Sequence, residues 1–371
     1  MAVSGWGCHA FRPSAPRELT VERVDLVGDF TTNALSYGRD AGNSIRMGDD
    51  VLWVFGDTFT WADMHCATAA WSTVEQPTEL IEPVDTWFGS LPFYAFSPEE
   101  TAYNESRDPP ECCGLHAQCE PGKPYCRCPA DTDCTTRIAL WPGDLLALDE
   151  DRAVQVYEKV QIGSAPWDFH HLGTGVATVG HGDIAARRPL DPSGSPLLVF
   201  GEGEPNFLRA VLVEEDSQRT AYLYAVTNRQ DCGVDIALAR VDLDDVFDRD
   251  AYQFWSGGGW SSSLDDAVPI LRQINGGLGS VTWNDHLGSY LSALNDICTG
   301  GSALILRTAP RPEGPWSEPV VIDISPLGAT VDAYAGQIHS SLGSGRDLVF
   351  TFYQPDPVEV GRVRIGRLRL R

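Results

Sequence analysis

A short unit of two apolar strands around a tight turn, closed by a polar residue, recurs five times along this chain, and nothing else in it constrains the fold as strongly. The clearest copy is Ile45-Arg46-Met47-Gly48-Asp49-Asp50-Val51-Leu52-Trp53-Val54-Phe55-Gly56-Asp57. Related hairpins begin near Ile138 (ending Val154-Gln155-Val156-Tyr157), Gly175 (ending Leu198-Val199-Phe200-Gly201-Glu202), Gly279 (ending Tyr290-Leu291-Ser292-Ala293-Leu294) and Gln337 (ending Leu348-Val349-Phe350-Thr351-Phe352). A sheet unit of this size cannot bury both its faces alone, so repeated units stack around an axis as blades. The expected fold class is all-β, a five-bladed β-propeller, with the polar hairpin ends gathered around one central funnel.

The repeat runs from about residue 20 to the C-terminus, which argues for an N-terminal arm over 1–19 and one propeller domain over 20–371. The 36 glycines, 25 prolines and 11 tryptophans favour short strands between turns. No apolar run has transmembrane length, and Met1 to Ala10 carry no apolar core of the signal-peptide type. A net charge of −25 argues against nucleic acid and anionic membrane as partners. A monomer is expected.

Six of the ten cysteines, Cys112, Cys113, Cys119, Cys126, Cys128 and Cys134, fall in one stretch. Zinc sites usually use Cys-x-x-Cys pairs, whereas this stretch has Cys-Cys and Cys-x-Cys, so a disulfide-rich insertion over 108–136 is favoured over a metal site. Cys8, Cys66, Cys232 and Cys298 are then available for two further bridges. Such density implies an oxidising compartment, and hence a secreted or extracytoplasmic protein. No cofactor or catalytic metal is called for, although a structural calcium ion on the propeller axis is compatible with the sequence.

Val21 to Val27 reads as a strand placed to pair with the last blade and close the ring. The C-terminal stretch Arg362 to Arg371 alternates basic and mostly apolar residues, the pattern of a half-buried strand. Residues 58–136 form a long connection with Trp61, Trp71, Trp87, Phe88, Phe93, Tyr94 and Phe96. Their rings suit either a sugar platform or packing of the insertion onto the blades, and packing is expected for most. Asp242 to Asp250 lacks the glycine and terminal glutamate of a calcium loop and reads as a short helix with acidic residues near its start.

Two carboxylates emerge from the first hairpin. With the turn at Gly48-Asp49, residues whose numbers sum to about 98 face each other, which sets Asp40 beside Asp57. Like charges in that position destabilise a sheet and push one pKa up, the condition an acid/base pair requires. The alternative is that one caps a turn or pairs with Arg39 or Arg46. Aligning Leu198-Val199-Phe200-Gly201-Glu202 with Trp53-Val54-Phe55-Gly56-Asp57 makes Glu202 the third candidate, facing the same funnel, with Glu204 a near-equal competitor. Arg39, Trp87, Trp141, Asp332, Gln337 and His339 are the candidates for substrate contact. His339 on an inner strand also fits a hydrogen-bonded core residue, as do His170 and His171. No Gly-x-Ser-x-Gly elbow, phosphate loop or His-Glu-x-x-His motif is present.

Gly38-Arg39-Asp40-Ala41-Gly42-Asn43-Ser44, Leu52-Trp53-Val54-Phe55-Gly56-Asp57-Thr58-Phe59, Arg137-Ile138-Ala139-Leu140-Trp141-Pro142-Gly143, Tyr252-Gln253-Phe254-Trp255-Ser256-Gly257-Gly258-Gly259-Trp260 and Tyr334-Ala335-Gly336-Gln337-Ile338-His339 occur in that order. In this combination the chain resembles glycoside hydrolase family 183, formerly a domain of unknown function numbered 4185. The resemblance implies a five-bladed propeller related in shape to families 43 and 62, and endo-cleavage of α-1,5-linked D-arabinofuranose chains such as mycobacterial arabinan. Its paired aspartates fall on Asp40 and Asp57, with acid and base unassigned, and shape analogy with family 43 leans toward inversion. The cysteine-rich insertion departs from the usual pattern. A non-catalytic carbohydrate-binding propeller and a hydrolase of L-arabinan or another furanoside are the competing readings.

Overall fold

The computed structural model describes residues 17–30, 36–60, 64–82, 84–85, 89–106, 136–163, 168–230, 233–275, 278–295, 300–356 and 361–371. The cysteine-rich insertion, every cysteine except Cys66, Trp61, Trp87 and Phe88 lie outside the described residues. The fold is all-β, with antiparallel pairing throughout the ladders and one α-helix, Pro98–Ser106, among the described residues.

Five larger sheets follow one another along the chain, besides two small ones, Ser36–Arg39 with Thr58–Thr60 and Met64–His65, and Val84–Asp85 with Gly89–Ser90. The first joins Asn43–Met47, Asp50–Phe55 and Thr68–Thr73. The second joins Arg137–Ala147, Arg152–Ile162, Phe169–Gly180 and Leu198–Gly201. The third runs from Asn206–Glu215 through Gln218–Gln230 and Gly233–Asp242 to Gln253–Trp255 and Trp260–Ser261. The fourth runs from Ser280–Asn284 through Ser289–Asn295 and Ala303–Ala309 to Val320–Asp323. The fifth starts at Tyr334–Ile338, continues through Asp347–Gln354 and Arg362–Leu370, and takes Val21–Asp29 as its outermost strand. The early strand thus pairs with the last one, from Val21 opposite Leu370 to Asp29 opposite Arg364.

The first strand of each sheet packs beside the first strand of the next, and the short helix Ser340–Leu342 after the fifth such strand returns to Asn43–Met47. The core follows the same circuit. Strand Asp50–Phe55 is an unbroken apolar run because both its faces are covered. Val51, Trp53 and Phe55 pack against Val349, Tyr353, Val363 and Ile365 of the fifth sheet. Leu52 and Val54 pack against Leu140, Tyr157 and Ala177 of the second. Equivalent clusters join the second sheet to the third, the third to the fourth and the fourth to the fifth. Each fully buried large side chain contributes about 1.5–3 kcal/mol. Trp53 keeps its indole N–H satisfied by donating to Ser72 Oγ at 2.8 Å.

Four of the five expected hairpins lead their sheets, and the third does not. Leu198–Gly201 is the last strand of the second sheet, paired with Phe169–Gly180, so Glu202 is not the counterpart of Asp57. The hairpin that leads the third sheet is Asn206–Glu215 with Gln218–Gln230. Its two-residue turn places Asp216 (φ 46°) and Ser217 (φ 72°) in the left-handed region without any glycine, so it lacks the usual sequence mark of such a turn. The Asp242 to Asp250 stretch forms two 3-10 turns, Leu243–Asp245 and Arg249–Ala251, capped by the Asp242 and Asp248 side chains.

Helix Pro98–Ser106 braces the second sheet where the candidate site begins. Glu100 is buried and accepts from Arg188 at 2.7 and 2.8 Å, with Lys159 Nζ 2.8 Å away. Burial works against the charge, but Arg188 and Lys159 hold the Glu100 carboxyl down to about 2. One turn on, Asn104 brackets the backbone of Ile138, donating to its carbonyl at 3.1 Å and accepting from its N–H at 2.7 Å. The strand carrying Arg137 and Trp141 is thereby fixed at its start.

Candidate active site

The ladder of the first hairpin pairs Asn43 with Val54 and Met47 with Asp50, one residue from the expected register. The small sheet of Ser36–Arg39 with Thr58–Thr60 continues it, pairing Arg39 with Thr58. Between these two stretches Asp40 lies opposite Asp57, its N–H donating to the Asp57 carbonyl at 2.9 Å. The backbone kinks there, with Ala41 in the left-handed region (φ 51°). A non-glycine residue held so costs about 1–2 kcal/mol, and such strain is concentrated at functional sites.

Three sheets meet at this pair. Tyr334, at the start of the fifth sheet, donates from its hydroxyl to Asp40 Oδ2 at 2.9 Å, and the residue after it, Ala335, is also left-handed (φ 57°). From the second sheet Trp141 donates from Nε1 to Asp57 Oδ1 at 3.1 Å, and Arg137 Nη2 stands 3.5 Å from Asp57 Oδ2. Asp57 remains 19% exposed at its side chain, so the pair is open to a ligand without being bathed in water.

The two carboxyls have different surroundings. Burial, then the neighbouring Asp57 charge, push Asp40 up to about 8 against the pull of the Tyr334 hydroxyl. Burial also raises Asp57, but the Arg137 charge and the Trp141 N–H oppose it. The proton shared by such a pair therefore rests on Asp40, while Asp57 carries the charge. Gly56 is part of the design. A Cβ there would come within 2.2 Å of Asp40 Oδ1, so Gly56→Ala is expected to displace that carboxylate and lower turnover at least tenfold in a folded protein. Near-normal turnover in that variant would show that the Asp40 position is not critical.

The other sequence-derived candidates separate into exposed and buried. Asp332 is exposed, two residues before Tyr334. Trp87 lies outside the described residues. Arg39, expected to touch substrate, is 3% exposed; its guanidinium is committed to Glu82 and to Ser90 Oγ (2.9 Å) and lies over the Phe55 ring. His339, expected likewise, is buried between the first and fifth sheets, bonded to Ser44 Oγ and Thr351 Oγ1, each at 2.8 Å. Burial lowers its pKa to about 3 and keeps it neutral, in keeping with a hydrogen-bonded core histidine. Glu202 is 63% exposed at its side chain and bonds His170 Nε2 at 2.8 Å, while Glu204 is tied to Arg249 at 2.6 Å and to the Gly201 N–H.

Gln337 belongs to a polar knot where the first strands converge. With its amide oriented to satisfy both ends, it donates to Asn43 Oδ1 (2.9 Å) and accepts from Arg209 Nη1 (3.1 Å), and Arg209 also reaches Asp144 Oδ1 (3.2 Å). These donors face the Arg209 guanidinium, so this knot does not fit a bound cation. No group of His, Cys, Asp and Glu able to hold a metal occurs among the described residues. Of the long aromatic connection, Trp71, Phe93 and Tyr94 are buried, as the packing reading expects. Cavities of about 330 Å³ beside Tyr222 and Arg240, and about 410 Å³ beside Glu204 and Thr227, lie on the third sheet, and neither is lined by Asp40 or Asp57.

Arg137 and Tyr334 are the site residues that sequence reasoning did not assign. Both sit in the family-like segments at the start of a sheet's first strand, and that shared position was the available signal.

Comparison with known proteins gives one family and a shared fold. A family model described as a domain of unknown function (DUF4185) matches residues 33–357. No curated protein matches. Among solved structures, the chain is similar to the GH43_1 enzyme from Xanthomonas citri complexed with xylotriose, at 10% identity and TM-score 0.50, covering 92% of this chain and 90% of that one. It is also similar to a protein of unknown function from Dyadobacter fermentans DSM 18053 (9% identity, TM-score 0.49, 94% and 99% covered). A third is the endo-1,5-alpha-L-arabinanase from Thermotoga petrophila RKU-1 (11%, TM-score 0.44, 91% and 75%). The first of these likenesses is one of fold. No described helix is long and apolar enough to cross a membrane.

Proposed function

The chain belongs to the DUF4185 family, and from that premise we propose that it is a glycoside hydrolase of family 183 type. In this reading it is a secreted five-bladed propeller that cleaves internal α-1,5-linked D-arabinofuranosyl bonds of mycobacterial-type arabinan. The observation that carries the proposal is the pairing of Asp40 and Asp57 across one ladder in unlike surroundings, one carboxyl kept protonated to about 8 and the other held by Arg137 and Trp141. Two neighbouring carboxyls with separated proton affinities are what glycosidic cleavage needs.

Asp40 gives its proton to the departing glycosidic oxygen as the bond to the anomeric carbon breaks. Asp57 takes a proton from the water that attacks that carbon. Tyr334 keeps the Asp40 carboxyl aimed, and Arg137 keeps Asp57 from competing for the proton. Exposed Asp332 is a further substrate contact in this reading.

Incubation with mycobacterial arabinogalactan and with plant arabinan, followed by sizing of the products, tests the proposal. Oligomers are expected from the first polymer only. Release from plant arabinan alone would reassign the substrate to the L series, and no release from either would leave a binding propeller.

A further inference from the structure

We infer that the corner formed by Trp141, Phe169, Glu158 and His171 is a sugar subsite beside the acid/base pair, seating one arabinofuranose ring of the polymer. This rests on the hydrolase reading above. Trp141 ties the corner to the chemistry, since its indole N–H is the one that holds Asp57 at 3.1 Å. Phe169 opens the strand Phe169–Gly180 and meets Trp141 edge to face, the ring centroids 4.9 Å apart at 86°.

Phe169 is 46% exposed, whereas Phe55, Phe93, Phe200, Phe207, Phe254, Phe350 and Phe352 are essentially fully buried. The exposed part of that ring gains free energy when an apolar surface covers it. The carbon-bound hydrogens of a sugar ring offer such a surface, with hydroxyls around its edge that need polar partners.

The partners are in place. Glu158 lies directly across the ladder from Trp141, and His171 lies one strand further out. His171 Nδ1 bonds Glu158 Oε1 at 3.0 Å, which leaves its Nε2 as the second hydrogen-bonding atom. That Nε2 is buried and has no hydrogen-bond partner among the described residues. Buried polar atoms are rarely left so, and a sugar hydroxyl would satisfy this one. The corner thus combines an exposed ring, an indole anchored to the reacting carboxylate and an unsatisfied polar atom.

The test uses Asp57→Asn protein, which binds without turning over, titrated calorimetrically with linear α-1,5-arabinofuranose oligosaccharides of the D and L series. Adding Phe169→Ala is expected to weaken Kd about tenfold or more for the preferred series, and Phe169→Tyr to restore it. In the otherwise unaltered enzyme, Phe169→Ala raises KM by a similar factor with kcat within about twofold, a split that general destabilisation would not produce. Unchanged Kd and KM in folded Phe169→Ala protein overturn the subsite alone. Should the unaltered chain release no product while the parent Asp57→Asn protein still binds and Phe169→Ala abolishes that binding, the subsite stands and the hydrolase reading falls. Absence of any binding by the parent protein overturns the subsite.

Discussion

Asp40→Asn and Asp57→Asn are each expected to lower hydrolysis at least about a hundredfold, the scale of a lost acid or base, with no loss of cooperative thermal unfolding. Stability near neutral pH should not suffer, because Asp40→Asn replaces a carboxyl that is already protonated and Asp57→Asn removes a charge that burial disfavours. In the unaltered protein the proton on Asp40 is lost as pH rises through about 8, so activity falls on that limb. Removing the Asp57 charge takes away the second cause of the Asp40 shift, so in Asp57→Asn the Asp40 carboxyl titrates at lower pH while burial still keeps it above the ordinary carboxylate range. Carboxyl-resolved NMR titration of both proteins measures this directly. The sign for stability is the reverse of the usual aspartate: between about 4 and about 8 the folded chain holds a proton that the unfolded chain has released, so stability declines as pH rises through that window. Asp40→Asn should flatten that decline. Near-normal rates in either folded variant would remove that residue from the mechanism.

The second large effect lies away from the chemistry. Glu100→Gln is expected to destabilise the protein by about 3–5 kcal/mol, because it leaves Arg188, itself 5% exposed at its side chain, and Lys159 without their carboxylate. Chemical denaturation followed by tryptophan fluorescence measures the change, and a loss under about 1 kcal/mol would contradict the assigned role. The pH dependence again has a definite sign. The folded Glu100 carboxyl sits at about 2, below its unfolded value, so its contribution is present above that unfolded value and disappears as pH falls toward 2. Because the same helix brackets Ile138 through Asn104, activity should fall along with stability, through misplacement of Arg137 and Trp141.

What could be read directly from the residues was local. The apolar run from Val51 to Phe55, the glycine at the Gly48-Asp49 turn and the alternation of Arg362 to Arg371 act over a few neighbouring positions, and the ladders they predict are present. The register of one hairpin follows from its own turn, which is why the sequence alone sets Asp40 against Asp57. Glu202 misled for the same reason: Leu198-Val199-Phe200-Gly201 imitates a leading hairpin strand locally, but its neighbours in space make it the outer strand of the second sheet.

Tertiary structure decided everything that needs two sheets at once. Arg137, Trp141 and Tyr334 are separated from the aspartates by 80 to 294 positions and meet them only because three sheets pack together there. The same packing buried Arg39 and His339, whose residue types suggest exposure and binding, by supplying Glu82, Ser44 and Thr351 as partners. Hydrogen-bond ladders and apolar periodicity are set by adjacent residues and so are written in order along the chain. Which side chains converge, and which are shut away, depends on surfaces that touch only after long loops close, and that is a property of the packed sheets.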